Sequence, residues 1–291
     1  MLLKELINKG TETISSLYPE REAKEMVYAF LEHRIGTKRH THIVEPGYEV
    51  TEVAADEALA AFGRMAAGEP LQYVTGCADF YSRQFHVTPD VLIPRPETEL
   101  LCREVVTFLQ SSQMPRPLKM LDLCTGSGCI AWTLALEMPG AEVTAVDISD
   151  GALKVASTQD FAEEISRTGA VPPTFIKADV LAGPAAVQQK YDVIVSNPPY
   201  VMDKEKALMR QNVLDHEPHL ALFVSDDDPL IFYRAVASWA TELLNPGGYC
   251  IVEINEALGQ ETAQIYIDAG FRPVQIIKDL SDRDRFVSFR R

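Results

Sequence analysis

The stretch MLDLCTGSGCIAWTLALEM, residues 120–138, joins a short apolar strand to an apolar helix through a glycine-rich turn. The turn contains Gly126 and Gly128, and glycine lets the backbone bend sharply and lie close to a ligand. The helix that follows would point the free N–H groups of its first turn at the same place. This order of elements predicts the nucleotide-binding edge of a parallel α/β sheet, although an ordinary strand–helix turn has the same pattern.

Strands and helices alternate from this stretch to the end of the chain. Apolar and β-branched runs predict further strands at residues 142–148, 173–179, 191–196, 248–254, 271–280 and 284–291. Helical patterns lie among them at residues 151–165 and 228–244, and a proline-containing linker at residues 113–119 precedes the first strand. Such alternation predicts an α/β fold, with a Rossmann-like, mainly parallel sheet that carries helices on both faces.

The chain before this sheet has a different pattern. Residues 1–72 carry apolar side chains at helical spacing, and one segment opens with Thr51 as a candidate N-cap and closes on Gly68. We expect a bundle of roughly four helices that serves recognition or stability. Residues 73–94 contain a Thr-Pro-Asp turn signal and predict a β-hairpin that joins this domain to a larger one at residues 95–291.

The composition is that of a globular protein, with 46% apolar and 24% charged residues among 291. The sequence contains no run of about 18 apolar residues, so we expect a cytoplasmic protein without a membrane span. The net charge of −15 disfavours direct binding of nucleic acid and favours a protein partner, above all a basic one.

The five cysteines form no CxxC pair and are expected to be small buried apolar residues. We expect no metal site, because His216 and His219 lack a third ligand.

An acidic residue follows the glycine turn at the distance typical of nucleotide-binding folds. Asp147 stands 19 residues after Gly128 at the end of a strand, where a carboxylate usually accepts hydrogen bonds from ribose hydroxyls. It could instead cap the helix after Ser149. The carboxylate of Asp122 would repel a pyrophosphate but suits a cationic amino-acid head group. We therefore expect S-adenosyl-L-methionine, which has such a group and a positive sulfonium, rather than a dinucleotide.

Residues 191–203, YDVIVSNPPYVMD, place two prolines directly after a buried strand. Proline fixes φ and has no N–H group, so the chain must leave the sheet in a rigid turn. The side-chain oxygen of Asn197 and a proline carbonyl could both accept hydrogen bonds from a planar NH2 group, and Tyr200 could cover its flat face. A weakly nucleophilic nitrogen would then be aligned with a methyl donor. Asn-Pro-Pro is also a common turn sequence, so the pattern alone leaves a purely structural role open.

Together these motifs resemble a known family. LDLCTGSG at residues 121–128 and NPPY at residues 197–200 resemble the amino-methyltransferases that modify planar nitrogens, among them adenine-N6 and glutamine-N5 enzymes. Residues 70–101, PLQYVTGCADFYSRQFHVTPDVLIPRPETELL, resemble the signature hairpin and helix of the glutamine-N5 group, the peptide chain release factor methyltransferases called PrmC or HemK. SNPPYV, EPHLALF and DRDRFVSFR match that family in order, and the likeness extends over residues 65–291.

The resemblance implies a class I methyltransferase that uses S-adenosyl-L-methionine to methylate the side-chain N5 of the glutamine in the Gly-Gly-Gln motif of class I release factors. Together with the reasoning on Asp122, it places the cofactor against Asp122, Cys124, Thr125, Gly126, Ser127, Gly128, Asp147, Asp179, Val180 and Asn197. It implies that the glutamine amide is held, and the transfer catalysed, by Asn197, Pro198, Pro199 and Tyr200.

Two positions depart from the family pattern. Cys124 stands where the family commonly has glycine, and such a residue costs little if its φ is negative. Val180 stands where an aromatic residue is often found, which leaves the adenine contact open at that position.

The alternative reading is an adenine-N6 methyltransferase acting on DNA or RNA, which would use the same residues 197–200. Such an enzyme needs a basic, aromatic region to hold a flipped base, whereas residues 1–72 contain 8 Lys and Arg against 12 Asp and Glu. A non-catalytic protein that keeps a cofactor pocket for structure is a third reading, which the intact NPPY disfavours. We expect a monomer that acts on class I release factors, without direct contact to nucleic acid or membrane.

Overall fold

The computed structural model describes residues 1–114 and 116–291, which form two compact units. The first comprises Met1–Cys77 and Met209–Glu217, and the second comprises Ala78–Leu208 and Pro218–Arg291. The sequence patterns did not indicate that a short later segment belongs to the first unit. The domain boundaries at residues 72 and 94 stay predictions. Pro115, in the proline-containing linker, lies outside the described residues.

The first unit is helical, as the spacing of apolar residues predicted. Its helices are Leu3–Ile14 (α1), Glu20–Ile35 (α2), Thr41–Val44 (α3), Glu52–Ala66 (α4), Leu71–Thr75 (α5) and, from the later segment, Gln211–His216 (α10). The three longest of them, α1, α2 and α4, have 12 or more residues each, and the others are short. Thr51 is the N-cap of α4, as expected, since its Oγ1 accepts the N–H of Ala54 at 3.3 Å. A Cβ at Gly10 would lie 2.6 Å from Cε2 of Phe62, so α1 and α4 are in direct contact there.

The predicted β-hairpin is present as Cys77–Phe80 (β1) and Arg83–His86 (β2). Its turn is formed by Tyr81 and Ser82, whose φ angles are +51° and +60°. The Thr-Pro-Asp signal at residues 88–90 does form a turn, in which the N–H of Val91 donates to the carbonyl of Thr88 at 3.1 Å, but that turn follows the hairpin and does not connect its strands. Two consecutive left-handed residues form the tight connection whose twist suits paired strands. Neither residue is glycine or asparagine, so the composition did not indicate the turn.

The second unit is built on a seven-stranded sheet. Its strands are Lys119–Leu123 (β3), Glu142–Asp147 (β4), Thr174–Lys177 (β5), Tyr191–Ser196 (β6), Leu244–Glu253 (β9), Val274–Lys278 (β10) and Asp284–Arg290 (β11). Their spatial order is β10-β11-β9-β6-β3-β4-β5, and among the described residues only β11 runs antiparallel to its neighbours. The mainly parallel sheet is thus confirmed. The chain order reverses between β3 and β6, so a crevice opens at the carboxyl ends of these two strands.

Helices and short strands complete the second unit. They are Pro96–Ser111 (α6), Cys129–Glu137 (α7), Asp150–Ser157 (α8), Ala162–Thr168 (α9), His219–Leu222 (α11), Ile231–Leu243 (α12) and Gly259–Asp268 (α13), with Val201–Met202 (β7) paired to Phe223–Val224 (β8). The helix α13 was not predicted.

The single helix predicted over residues 151–165 is wrong, because the chain leaves helical conformation between α8 and α9. The side chain of Gln159 is buried there: it accepts the N–H of His86 at 2.8 Å and donates to the carbonyls of His86 at 2.9 Å and Ser127 at 3.1 Å. Asp160 then accepts the N–H of Ala162 at 3.1 Å, at the start of α9. These bonds join the hairpin to the glycine turn, which a continuous helix would prevent.

Helices cover both faces of the sheet, as predicted. In β6, Val193 and Val195 belong to the hydrophobic core formed with α6 and α7, whereas Ile194 belongs to the core formed with α12 and α13. Side chains of a strand alternate between its two faces, so a strand with a core on each side is apolar over most of its length, as at Val193, Ile194 and Val195. No helix in the described part of the chain has the length and apolar character needed to cross a membrane.

Candidate active site

A cleft opens at the carboxyl ends of β3, β4 and β6. The predicted site residues that line it are Cys124, Thr125, Gly126, Ser127, Asp147, Asp179, Val180, Asn197 and Pro199. The predicted residues outside its lining are Asp122, Gly128, Pro198 and Tyr200. The fold therefore brings the glycine turn, two acidic residues and the start of NPPY to one space, while the role of each residue stays a prediction.

Asp147 holds the glycine turn in place. Its Oδ2 accepts the N–H of Gly126 and its Oδ1 accepts the N–H of Ser149, both at 2.9 Å. Each carboxylate oxygen can accept a further hydrogen bond from a ligand in the cleft. Burial raises the pKa of Asp147, and the two backbone N–H groups oppose that rise. The alternative that Asp147 caps the next helix is wrong: Ser149 is the N-cap of α8, and its Oγ accepts the N–H of Ala152 at 3.1 Å.

The two glycines of the turn have different surroundings. Gly126 has a φ of +54°, and in the described part of the chain no heavy atom outside its immediate neighbours in sequence lies within 4 Å of where its Cβ would stand, so its backbone borders the cleft. Gly128 has a φ of +79°, and a Cβ there would lie 3.0 Å from Cβ of Ala156. Its absent side chain therefore lets α7 begin close to α8.

Asp122 lies beneath the turn, within β3, and is fully buried. Its Oδ2 accepts a hydrogen bond of 2.6 Å from Oγ1 of Thr125, which does line the cleft. Burial raises the pKa of Asp122 to about 7, while the bond from Thr125 opposes the rise. The carboxyl group thus supports the turn from below, and a direct contact with a cationic head group stays a prediction.

Cys124 has a φ of +62°, in the left-handed region. The expectation that a non-glycine residue costs little there assumed a negative φ and is wrong, since the left-handed region costs on the order of 1–2 kcal/mol for a residue with a Cβ. Burial raises the pKa of its thiol well above the usual range, so the thiol is protonated at neutral pH. Cys102, Cys129 and Cys250 are buried as expected, whereas Cys77 and Cys124 are half-buried.

Asp179 and Val180 form a wall of the cleft after β5. Oδ1 of Asp179 accepts the N–H of Leu181 at 2.9 Å and so starts a short 3₁₀ turn. Val180 is buried, and its carbonyl accepts the indole N–H of Trp239 at 2.9 Å. With Ile148 and Leu181, which also line the cleft, Val180 supplies an apolar surface that suits a flat ring.

Asn197 leaves the sheet directly after β6. Its Nδ2 donates to Oγ1 of Thr98 at 3.1 Å, so the other end of the amide, Oδ1, points away from that contact. Pro198 and Pro199 are buried, and the preceding Ser196 donates from Oγ to the carbonyl of Leu123 at 2.8 Å. The turn is therefore fixed against β3 by a side chain as well as by its prolines.

Tyr200 faces a buried acid. Its hydroxyl donates to Oε1 of Glu253 at 3.0 Å, and burial raises the pKa of the hydroxyl well above its usual range. Its ring is outside the cleft lining, so the expectation that it covers the flat face of a substrate amide stays a prediction.

Thr98 and Glu253 are site residues that the sequence reasoning missed. Glu253 ends β9 and is 1% exposed, and its Oε2 accepts from Oγ1 of Thr98 at 2.8 Å. Burial raises the pKa of Glu253, while the bonds from Thr98 and Tyr200 and the charge of Arg285 oppose the rise. A signal was available, because Glu253 is the acidic residue of the otherwise apolar stretch at residues 248–254. A carboxylate in a buried strand requires hydrogen-bond partners.

Two segments that carry no predicted site residue also line the cleft. Residues 90–95, after the hairpin, include Asp90, Val91 and Arg95, and residues 218–221 include Leu220. Both are loops or short helices whose place beside the sheet depends on packing. In the described part of the chain, no three His, Cys, Asp or Glu side chains lie together so that they could hold a metal ion.

Comparison with known proteins relates both units to one family. A family model described as "Methyltransferase small domain" matches residues 104–221, and one described as "PrmC N-terminal domain" matches residues 5–76. The release factor glutamine methyltransferase of Flavobacterium psychrophilum is 35% identical over 99% of this chain and 98% of that protein. That of Bacteroides thetaiotaomicron is 44% identical over 78% of each. The crystal structure of a release factor-specific protein-(glutamine-N5) methyltransferase from Alicyclobacillus acidocaldarius is 31% identical, covers 71% of this chain and 99% of that chain, and superposes with a TM-score of 0.42.

Proposed function

We infer the activity from one premise: this chain belongs to the release factor glutamine methyltransferase family. It is an enzyme that transfers a methyl group from S-adenosyl-L-methionine to the side-chain N5 of a glutamine in a peptide chain release factor. The observation that relates this activity to particular residues is the cleft, which contains Asn197 and Pro199 together with the glycine turn and Asp147.

The cleft fits S-adenosyl-L-methionine. Asp147 offers carboxylate oxygens to ribose hydroxyls, and Gly126 lets the backbone approach the ligand closely. Ile148, Val180 and Leu181 offer apolar surface to an adenine ring. When bound, the cofactor supplies a methyl carbon made electrophilic by a positive sulfur. The negative charge of Asp147 in a partly dry cleft favours such a cation.

The acceptor side holds the glutamine amide. The amide nitrogen is a poor nucleophile because its lone pair is delocalised into the carbonyl. Oδ1 of Asn197 and the carbonyl of Pro198 each accept one of its N–H groups, which raises the electron density on nitrogen and turns it toward the methyl carbon. Two buried prolines keep these acceptors in place, and a misplacement of about 1 Å would cost on the order of a hundredfold in rate.

The transfer is an in-line displacement. The glutamine nitrogen forms a bond to the methyl carbon while the carbon–sulfur bond breaks, and the electron pair of that bond stays on sulfur. The nitrogen then loses one proton to water. The products are N5-methylglutamine and a neutral thioether, so the positive charge passes from sulfur to the glutamine amide and leaves the cleft with the proton. Acceptors that do not themselves take the proton are sufficient for this chemistry.

The finer assignments rest on charge and on the resemblance. We propose that the glutamine is that of the Gly-Gly-Gln motif of class I release factors, and that residues 1–72 recognise the release factor. Residues 73–94 act as the hairpin linker and residues 95–291 as the methyltransferase domain. A net charge of −15 supports a basic protein partner and no direct binding of nucleic acid. The enzyme acts as a cytoplasmic monomer.

Methyl transfer from labelled S-adenosyl-L-methionine tests this function. The purified enzyme is offered a class I release factor, the same factor with the Gly-Gly-Gln glutamine replaced by alanine, DNA and RNA in separate reactions. We expect label on the unmodified release factor alone, mapped by peptide mass to that glutamine. Label on the alanine variant would contradict the assigned residue, and label on nucleic acid alone would establish the adenine-N6 alternative.

A further inference from the structure

A line of hydrogen bonds ends at the side chain of Asn197. Oγ1 of Thr98 donates to Oε2 of Glu253 at 2.8 Å, and Nδ2 of Asn197 donates to Oγ1 of Thr98 at 3.1 Å. Thr98 and Glu253 are 2% and 1% exposed, so bulk water does not compete for these groups. The other oxygen of Glu253, Oε1, accepts from the hydroxyl of Tyr200 at 3.0 Å. Each polar atom along the line therefore has a specific partner.

Glu253 fixes the direction of this line. A carboxylate has only acceptors, and a threonine hydroxyl has one proton to donate. Because Thr98 gives that proton to Glu253, its oxygen can only accept from Asn197. The NH2 end of the Asn197 amide must then face Thr98, and its carbonyl end must face the other way, on the side of the cleft that Asn197 lines.

The two ends of an asparagine amide have nearly the same size and shape. Packing alone therefore cannot choose between them, and the choice is made by hydrogen bonding. A reversed Asn197 would present its NH2 group to the NH2 group of the substrate glutamine. Two donors would then meet, and the acceptor that holds the glutamine would be lost.

We propose that Glu253, acting through Thr98, is a positioning residue that selects which end of the Asn197 amide faces the glutamine. This inference rests on the proposed role of Asn197 as an acceptor for the glutamine N–H. Glu253 does not touch the substrate. It determines the direction of donation in a buried line whose last member does.

Glu253→Gln reverses the line with almost no change in shape. The new side chain accepts from Tyr200 with its carbonyl oxygen and donates to Thr98 with its NH2 group. Thr98 then gives its own proton to Asn197, and the Asn197 amide turns over. We expect kcat on the release factor to fall by roughly a hundredfold, with the affinity for S-adenosyl-L-methionine little changed.

In the Asn197→Asp variant, Glu253→Gln should change kcat in the opposite direction. An aspartate at this position has an oxygen at both ends, so it always offers an acceptor to the cleft. Beside Glu253 it leaves two carboxylates competing for the one proton of Thr98. With Glu253→Gln added, Thr98 donates to the new aspartate and every group is paired. We expect Glu253→Gln to raise kcat roughly tenfold in this background.

Substitutions at two threonine positions distinguish an effect of these hydrogen bonds on kcat from an effect of side-chain packing. Thr98→Val removes the hydroxyl and should lower kcat, whereas Thr98→Ser keeps it and should retain most of the activity. Thr262→Val is the matched control, because Thr262 is 0% exposed and its Oγ1 has no hydrogen-bond partner within the described ranges. It should leave kcat unchanged. Melting temperature and cofactor affinity are measured for every variant, so that a loss of folding is recognised.

The direction of the line can also be observed without turnover. In protein labelled with ¹⁵N at asparagine, the side-chain NH2 signal of Asn197 is the one that disappears in Asn197→Asp. We expect its protons to exchange slowly with water in the wild type, because they face Thr98, and faster in Glu253→Gln, because they face the cleft.

The outcomes distinguish the two proposals. A wild-type enzyme that leaves the release factor unlabelled would refute the proposed function, and the exchange rates of the Asn197 NH2 group would still decide the direction of the line. A Glu253→Gln substitution that lowers kcat by the same factor in both backgrounds would overturn the positioning role. Unchanged exchange of the Asn197 protons in Glu253→Gln would overturn it as well.

Discussion

The two sides of the cleft are built by different means. On the cofactor side, Asp147 accepts N–H groups from Ser149, two residues away, and from Gly126, which belongs to the preceding strand–turn–helix unit. On the acceptor side, Asn197 donates to Thr98 at a separation of 99 residues, and Thr98 donates to Glu253 at a separation of 155. The first arrangement follows from one local motif. The second exists only when β6, α6 and β9 are packed together, so the direction of the Asn197 amide depends on the tertiary structure.

The largest expected effect is on the acceptor side. Asn197→Ala removes the proposed acceptor for the glutamine, so kcat should fall by roughly a thousandfold. The affinity for S-adenosyl-L-methionine, measured by calorimetry, should change much less. Asn245→Ala is the control, because Asn245 also donates from its side chain, to Asp192 at 2.8 Å, but lies at the far end of β9. Equal losses of kcat and of affinity for S-adenosyl-L-methionine would contradict the division of the cleft into an acceptor side and a cofactor side.

The next effect concerns the support beneath the cofactor turn. The pKa of Asp122 is raised from 3.8 to about 7 in the folded protein. The folded state therefore holds the proton more tightly than the unfolded state. The stability from this group is fully present below about pH 4, falls as pH rises, and is lost above about pH 7. The difference amounts to about 4 kcal/mol in the free energy of unfolding.

Asp122→Asn cannot titrate and should lack this decline. Denaturant unfolding of the wild type and the variant at intervals from about pH 4 to pH 8 measures it. Asp147 and Glu253 also have raised pKa values but are present in both proteins, so the difference between the two curves isolates Asp122. If the free energies of unfolding of the two proteins changed in parallel with pH, the pKa of Asp122 would not be raised by folding. The protonation of Asp122 would then not contribute to the stability of the cofactor side.

A smaller effect is expected from Asp147→Asn. The substitution removes the charge and puts an NH2 group in place of one of the two carboxylate oxygens, which accept the N–H groups of Gly126 and Ser149, so KM for S-adenosyl-L-methionine should rise by about 10- to 100-fold. With saturating cofactor, kcat should be less affected, in contrast to Asn197→Ala. Asp150→Asn is the control, since the side chain of Asp150 is 78% exposed and pairs with Lys177. A fall in kcat alone would place Asp147 on the acceptor side instead.

The smallest expected effect is a gain in stability. Cys124→Gly relieves the left-handed φ of +62°, and the free energy of unfolding should increase by about 1 kcal/mol. Cys124→Ala keeps a Cβ and should bring no such gain. Thermal denaturation of the three proteins tests this. A gain of equal size in both variants would show that the thiol, and not the backbone conformation, is the source of the cost.

Several features of the fold were predictable because they depend on nearby residues. The glycine turn, the N-cap at Thr51 and the apolar strand before NPPY each follow from the chemistry of a few consecutive residues. Other features were decided by distant partners. The hairpin turns at Tyr81 because the flanking strands pair there, and the predicted helix at residues 151–165 is interrupted because Gln159 bonds to the backbone of His86 and Ser127.

The same limit applies within the site. The sequence identified Asp147 and Asn197 as residues of one cleft, because the carboxyl ends of neighbouring parallel strands meet at one edge of the sheet. It did not reveal that Asp122 and Gly128 lie outside the cleft lining, where Asp122 supports the turn and Gly128 allows close helix packing.

By itself, the sequence determined the alternation of strands with helices, the glycine turn and the rigid polar turn after β6, since these depend on backbone preferences and on the spacing of apolar residues. Only the tertiary structure decided which end of the Asn197 amide faces the cleft. That choice follows from the hydroxyl proton that Thr98 donates to Glu253, and the two residues meet only because β9 and α6 pack beside β6. Hydrogen-bond direction is set by the partner in space, and no pattern along the chain encodes it.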